Sequence, residues 1–342
     1  LCAEAGFRVC LFEGENSPGK KLLITGQGKC NITNMAPLPD FINRYGGKRN
    51  FVRPCLYSFS GANLRDFFRD RGLPLVSRED GKVFPETESS RDVLDLLLKK
   101  CRKAGVHLIC NENINKISII GSQFTAGTAS AGSVIICTGG ITWPSTGSRG
   151  GGYALASALG HSLITPRPAL AAVFIKDFKL AECAGISLHA AVSLFRGGRK
   201  INEYQGDLLI THTGLSGPVI LDNSRSFGPG DHLVINFLPS LSRQSLSDLI
   251  ISYCVLNGKG KIRGLASSLH LPSRLYSALT LKDCSPEKRA AEISADERKK
   301  IILRLTELDT EIAALEGSEK AMCTAGGIST KEISPATMES RL

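Results

Sequence analysis

The sequence predicts an α/β domain interrupted by an antiparallel β-rich insert that itself carries a helical piece. Three observations predict it. Short apolar runs at residues 7–13, 106–110 and 133–137 are spaced by a helical pattern at 89–104, the alternation of a sheet with crossover helices. From about 170 to 238, apolar and polar residues alternate between turns at Gly197-Gly198 and Gly228-Pro229-Gly230, as antiparallel strands do. The chain then passes through a charged helical stretch and comes back at Thr324-Ala325-Gly326-Gly327, so the first domain is discontinuous. The expected boundaries are 1–166 for the first part of the α/β domain, 167–240 for the β-rich insert, 241–305 for a helical subdomain, 306–323 for a strand returning from the insert, and 324–342 for the second part of the α/β domain.

Residues 5–13 read as a helix end, a tight turn at Gly6 and a short strand finishing in Glu13. In a dinucleotide-binding βαβ unit such an acid takes the ribose hydroxyls, about 20 residues after a glycine-rich phosphate loop. Counting back from Glu13 runs off the front of the chain, which starts with Leu1. The sequence therefore reads as a fragment that begins inside a first helix, with a strand edge left unpaired. Residues 62–72 and 89–104 have amphipathic helical spacing. Ser89-Ser90-Arg91-Asp92 starts the second and Gly105 stops it. Residues 106–110 read as a strand and 114–128 as a hairpin. Residues 133–137 are apolar after Ser133, as a buried parallel strand would be, and run into Thr138-Gly139-Gly140. A glycine-rich turn at 150–152 feeds a helix over 153–159, closed by Gly160-His161.

Length and composition bound the rest. A chain of 342 residues allows two domains or three, and 42% hydrophobic residues supply ample core. No run of 18 apolar residues is present, so no membrane span is expected. The 11 cysteines include no C-x-x-C pair and no Cys/His cluster at zinc spacing. Free thiols in a reducing compartment, a cytoplasmic location and no metal are the expectation. The net charge of +10 is spread out, its densest clusters lying at 99–103, 196–200 and 259–263. Aromatic residues make up only 6% of the chain, and no aromatic-rich basic stretch stands out, so nucleic acid is not expected as a partner.

The richest candidate site is the loop over 19–34. Gly26 and Gly28 allow positive φ and close backbone approach, Lys20 and Lys21 offer charge, and Thr25, Asn31, Thr33 and Asn34 offer hydrogen bonds. A polar surface loop would carry the same residue types. Thr138, Gly139 and Gly140 follow a strand at the end where open α/β sheets bind ligands, although a tight turn has the same composition. His107, His161 and His212 each stand alone in sequence, without a Ser, Cys or carboxylate at triad spacing. Cys30 is the one thiol in a polar loop, yet it lacks a neighbouring His or second Cys for a redox pair.

Four blocks in order resemble one family, the FAD-dependent NAD(P)/FAD-dependent oxidoreductases that include aminoacetone oxidase-like, BaiN-like and YhiN-like flavoproteins. They are residues 19–34; Thr138-Gly139-Gly140 through Pro168-Ala169-Leu170; residues 209–218 with Thr211-His212-Thr213-Gly214; and Thr324 to Ile328 followed by Glu332-Ile333 and Thr337-Met338-Glu339-Ser340. The resemblance implies an incomplete Rossmann-like FAD-binding domain with an inserted antiparallel β-domain and helical subdomain. It implies that Glu13 holds the FAD ribose, that the loop with Lys20, Lys21, Thr25, Gly26, Gly28, Cys30 and Asn31 runs along the flavin, and that Thr138, Gly139, Gly140, Gly326 and Gly327 approach the cofactor. The family's opening phosphate loop and the segment after the Met-Glu-Ser block are absent, Gly151 stands where Asp is frequent, and Gln27 where Gly is frequent. The chain on its own is then expected to hold FAD weakly or not at all.

The functional expectation is an FAD-dependent oxidoreductase acting on a small molecule between the FAD domain and the insert, with an amine, a ketosteroid-like molecule or NAD(P)H as open choices. Thr211, His212 and Ser216 are the insert residues expected to meet substrate, and no catalytic acid or base is legible. Two alternatives stand beside it: a cofactor-free truncated or scaffold protein, and an RNA-associated flavoprotein whose binding would weaken steeply with salt.

Overall fold

The computed structural model describes residues 1–280 and 282–342; Leu281, within the expected helical stretch, lies outside the described residues. The chain divides into two compact units, one of residues 1–166 and 326–342 and one of residues 167–325.

In the first unit, β1 (Cys10–Glu13) pairs in parallel with β5 (His107–Cys110), Glu13 lying opposite Cys110. Between them come α1 (Lys20–Ile24), β2 (Thr33–Asn34), α2 (Leu38–Asn43), α3 (Arg49–Ser58), α4 (Gly61–Arg69), β3 (Leu75–Ser77), β4 (Lys82–Pro85) and α5 (Ser90–Lys103). The two amphipathic helices expected from sequence are α4 and α5. Ser60 caps α4 in a reciprocal capping box with Asn63, which satisfies orphan N–H groups at its start. In α5, Asp92 sits in the first turn, Lys100, Arg102 and Lys103 in the last, and Gly105 follows at φ +72°, so charge and backbone freedom both agree with the helix ends. Val93 of α5 buries against Cys30, Phe68 and Leu73, a small core that anchors the 19–34 loop to α4 and α5. Strands β2, β4 and β3 form one antiparallel sheet.

The expected hairpin at 114–128 is β6 (Ile117–Ile120) and β7 (Gln123–Ala126), extended to a meander by β8 (Ala129–Ala131). Residues 133–137 depart from expectation. They join no ladder among the described residues, and Ile135 is 74% exposed. The β1–β5 sheet has only two strands, and residues 133–137 pair with neither of its free edges, so apolar content alone did not make this run a strand. The unit continues through α6 (Gly151–Ala158) into β9 (Leu163–Ala169).

The second unit is a closed six-stranded barrel. Its strands are β10 (Val173–Ile175), β11 (Ser187–Arg196), β12 (Arg199–Ile210), β13 (Gly214–Ser216), β14 (His232–Asn236) and β15 (Leu308–Leu315), ordered β10-β13-β12-β11-β14-β15. Every pairing is antiparallel, and closure leaves no open edge. The stretch expected to return to the first domain at 306–323 instead supplies β15, which closes the barrel between β14 and β10. Alternation along β11 and β14 sends Ala190, Val192, Leu194, Leu233 and Ile235 into the core. A short α7 (Pro218–Leu221) follows β13. Helices α8 (Arg243–Leu256), α9 (Leu265–Ser268), α10 (Ser273–Thr280) and α11 (Ala295–Thr306) continue the same core through Leu246, Ile250, Leu275, Tyr276 and Ile301. The chain leaves the unit along β16 (Cys323–Ile328), which pairs with β9. Among the described residues no helix is long and apolar enough to cross a membrane.

Candidate functional site

The site is built from two glycine-bearing loops of the first unit beside the end of β1. Glu13 closes β1 half-buried, and its Oε1 accepts the Glu15 backbone N–H at 2.9 Å, which leaves the other carboxylate oxygen for a ligand. A carboxylate at the carboxyl end of a parallel strand is where α/β folds meet ligands. The first loop starts at Gly19, φ +83°, where a Cβ would press on Leu94 of α5, so glycine lets α1 seat there. After α1 the chain turns through Gly26 and Gln27, both left-handed, and a Cβ on Gly26 would sit 2.9 Å from the Asn31 backbone nitrogen.

Charge joins this loop to the second, residues 138–150. Lys20 Nζ meets Glu15 Oε2 at 2.7 Å, and Arg149 reaches Glu15 Oε1 at 3.0 Å. Lys20, followed by Arg149, holds the Glu15 carboxyl below the usual carboxylate range. Lys21 Nζ donates to the buried Thr142 carbonyl at 2.8 Å. Burial holds the Lys21 ammonium below its ordinary range, and no carboxylate pairs with it among the described residues. The second loop is left-handed at Gly139, Trp143, Gly147 and Gly150, and Gly150 N–H donates to Gly140 O at 3.1 Å. A Cβ on Gly139 would lie 2.7 Å from Ser148 Oγ and 4.0 Å from Lys21 Nζ, so the backbone itself faces the lysine. The result is a cradle with one acid at a strand end, two loops of permissive backbone, and three cations tied in place. It can hold an anionic ligand that also presents hydroxyls.

The other expected site residues fall as follows. Thr25 Oγ1 donates to Leu22 O at 2.6 Å, finishing α1. Gly28 has φ +86°, and a Cβ there would only touch the Leu23 carbonyl at 3.9 Å. Asn31, with its amide oriented to satisfy its neighbours, donates to Thr33 O and Val83 O and ties the loop to β4. Cys30 is 4% exposed in the small core, and burial pushes its thiol up; a ligand could meet it only through its backbone. Thr138 packs its Oγ1 where a Cβ on Gly152 would stand. Gly326 and Gly327 lie in β16 at φ +88° and +106°; their missing Cβ atoms make room for the Thr165 carbonyl and the Tyr153 ring. Glu15 and Arg149 were not singled out from sequence. The available signal was a lone acid in a lysine-rich loop, Glu15 being the only Asp or Glu between Glu13 and Asp40.

In the second unit Thr211 Oγ1 donates to Gly214 O at 3.0 Å and accepts Gly214 N–H at 3.1 Å, so its hydroxyl is spent on the turn. That turn projects His212 into solvent without a hydrogen-bond partner among the described residues. Ser216 is half-buried in β13, opposite Leu209. Gly214 is buried against the Val173 carbonyl, and a Cβ on Gly217 would lie 2.6 Å from Asp207 O, so both glycines of this block serve close strand packing.

His161, alone in sequence, is fully engaged in the structure. Its Nδ1 lies 3.0 Å from Glu332 Oε2 and its Nε2 lies 2.9 Å from Ser340 Oγ. Ser162 N–H also donates to Glu332 at 2.9 Å, and with His161 it holds that carboxyl below the usual range. The imidazole pins residues 329–341 to the end of α6.

Comparison with known proteins agrees with this architecture. The chain is 26% identical over its whole length to a protein named ribosomal RNA dihydrouridine synthase from Escherichia coli, spanning 84% of that protein. It is 27% identical over 98% of its length to a 3-dehydro-bile acid delta(4,6)-reductase from Clostridium scindens, spanning 83% of it. Among solved structures, the open conformation of a flavocytochrome c3 fumarate reductase matches 92% of this chain and 59% of its own, at 14% identity and a TM-score of 0.34, too distant to carry an argument. All of residues 1–342 match the family described as HI0933-like protein Rossmann domain. The family resemblance read from the four sequence blocks is therefore borne out, and this chain belongs to the HI0933-like family of Rossmann-domain proteins.

Proposed function

We propose that this protein is an FAD-dependent oxidoreductase that saturates a carbon–carbon double bond conjugated with a carbonyl, with NAD(P)H as the source of electrons. The observation that carries the cofactor half is the convergence of the two glycine-bearing loops on Glu15 and Thr142 beside the Glu13 carboxylate. That donor set suits a flavin dinucleotide. Glu13 would hold ribose hydroxyls, Lys20, Lys21 and Arg149 would supply fixed positive charge near its anionic groups, and Gly139 would let the backbone pass close to it. When bound, FAD supplies two-electron chemistry and the protein supplies position and electrostatics.

The reaction half rests on the relatives. A dihydrouridine synthase and a delta(4,6)-reductase of a 3-dehydro compound are both named for saturating a double bond conjugated with a carbonyl. Such a reduction places a hydride on the carbon β to the carbonyl and a proton on the α carbon. Among the residues proposed to meet substrate, His212 is exposed with no hydrogen-bond partner among the described residues and could carry a proton, whereas Thr211 stabilises the turn that presents it.

The test is a visible spectrum of the protein expressed from its complete reading frame. Flavin bands that bleach with NADPH or dithionite under argon, and return when a cyclic enone or a uridine-containing oligonucleotide is added, support the proposal. A folded protein that stays colourless after FAD is supplied sinks it and leaves a cofactor-free scaffold. Bands that bleach but return only with oxygen keep the flavoprotein and refute the proposed substrate class.

A further inference from the structure

We propose that the exposed face of α2 and α3 docks single-stranded RNA, through Arg44, Arg49 and Arg53 on its phosphates and Tyr57 stacked on a base. The expectation that the chain lacks an aromatic-rich basic stretch needs correcting here: residues 41–64 contain four basic side chains, five aromatic ones and no Asp or Glu. The one acid on these two helices is Asp40, in the first turn of α2. Arg44, Arg49 and Arg53 are all exposed and form no ion pair among the described residues. Lys48 donates only to the neutral Thr330 hydroxyl, at 2.9 Å. Some exposed cations of the same unit are matched with acids on their own segment, as Arg69 is with Asp66 and Lys82 with Asp80, whereas residues 41–64 hold no acid to match theirs. Positive charge is thus left uncompensated on this face.

Arg49, Arg53 and Tyr57 are spaced four apart on α3, which lines them along one stripe with about 6 Å between successive positions. Tyr57 is 62% exposed and Phe59, just past the helix, 47%. Large rings left in water beside unpaired guanidinium groups suit a partner with alternating phosphates and flat bases. Unpaired RNA has that chemistry, its bases stacking on aromatic rings while the backbone follows the positive charge. A membrane surface would favour a continuous apolar face instead, and here the stripe alternates charge and ring. The inference adds an RNA-docking face to the reductase reading, and rests on that reading only for taking the bound RNA as substrate.

The experiment is fluorescence anisotropy with the full-length flavoprotein and a labelled 12-nucleotide single-stranded RNA, at increasing salt. Three arginine–phosphate contacts predict a slope of log affinity against log salt of about −2, and Arg49→Ala with Arg53→Ala should flatten it by about 1.4. Tyr57→Ala should weaken binding about 5- to 100-fold with the slope unchanged. The control is Arg102→Ala with Lys103→Ala, which removes equal charge from exposed positions on α5 and should leave binding within twofold. Equal weakening by the control, or no effect of Tyr57→Ala, would overturn the proposal as mere attraction of a polyanion to a basic protein. Vesicles of phosphatidylserine and phosphatidylcholine that displace the RNA and depend on the same arginines would overturn it in favour of a membrane surface. Each variant's flavin spectrum is recorded alongside. RNA binding by a colourless protein would refute the reductase and keep the docking face, and a coloured protein that ignores RNA would do the reverse.

Discussion

The pairing of Asp231 with Arg196 gives a stability prediction whose size and pH dependence follow from geometry. Asp231 precedes β14 and is 3% exposed, while Arg196 ends β11. The carboxylate accepts from Arg196 Nε at 2.7 Å, from Arg196 Nη2 at 2.6 Å and from Gly228 N–H at 2.8 Å. Breaking a fully buried ion pair costs about 3–5 kcal/mol, and an exposed one about 0.2–1 kcal/mol. Here the acid is buried but the Arg196 side chain is 55% exposed, so water screens the pair and rehydrates the arginine when its partner is removed. The coupling should therefore fall between these limits, at about 1–2 kcal/mol. Asp231→Asn removes the charge and keeps an acceptor for Gly228. Asp231→Ala also strands that N–H and should cost about 1 kcal/mol more. The assay is urea unfolding of wild type, Asp231→Asn, Arg196→Met and the double variant, with hydrogen exchange in β11 and β14 reporting on the barrel itself.

The sign with pH follows from the Arg196 hydrogen bonds, which hold the Asp231 carboxyl below its unfolded value. A depressed acid contributes stability above the unfolded carboxylate range, near pH 4, and loses it as pH falls through the folded value. The coupling should be intact at pH 7 and shrink below about pH 4. A coupling under about 0.5 kcal/mol at pH 7, or one that does not change on acidification, would refute the reasoning.

Three further outcomes are expected. Lys21→Met loses the charge-assisted bond to Thr142 O and should weaken FAD binding about 10- to 100-fold in an equilibrium titration, with the melting of the apoprotein changed little. Gly214→Ala drives a Cβ into the Val173 carbonyl, where backbone must move, so it should cost at least about 3 kcal/mol by chemical denaturation. His161→Ala should speed hydrogen exchange across residues 329–341 while leaving the barrel protected, because the imidazole bridges Glu332 and Ser340; Glu332→Gln should remove the acid-dependent part of that protection, which is present above the carboxylate range and lost as pH falls.

Much of the fold was legible because local rules and tertiary packing agree. Helices α4 and α5 carry their own caps and apolar faces, and the alternation from 170 to 238 needs an antiparallel sheet. Residues 133–137 misled because apolar content states what a strand would bury and not whether it pairs with a neighbour. The run at 306–323 misled for a similar reason. Its pattern shows a strand, but only the free edges of β10 and β14 decide where that strand goes. The glycines of the candidate site could be read directly, since positive φ is a property of one residue. The use of Lys21 and the second cation on Glu15 could not be read, because Thr142 and Arg149 lie more than a hundred residues away, whereas Lys20 meets Glu15 only five residues off.

By itself the sequence determined the class of fold, the family, the acid that ends β1 and the loops of permissive backbone, all of which depend on residue type and spacing within a few turns of chain. Tertiary structure alone decided which cations Glu15 and Thr142 hold, that Cys30 serves the core, that His161 is pinned on both nitrogens, and that Arg49, Arg53 and Tyr57 share one uncompensated face. These depend on which distant segments meet, and the free energy of a charge or a thiol is set by what lies against it in space.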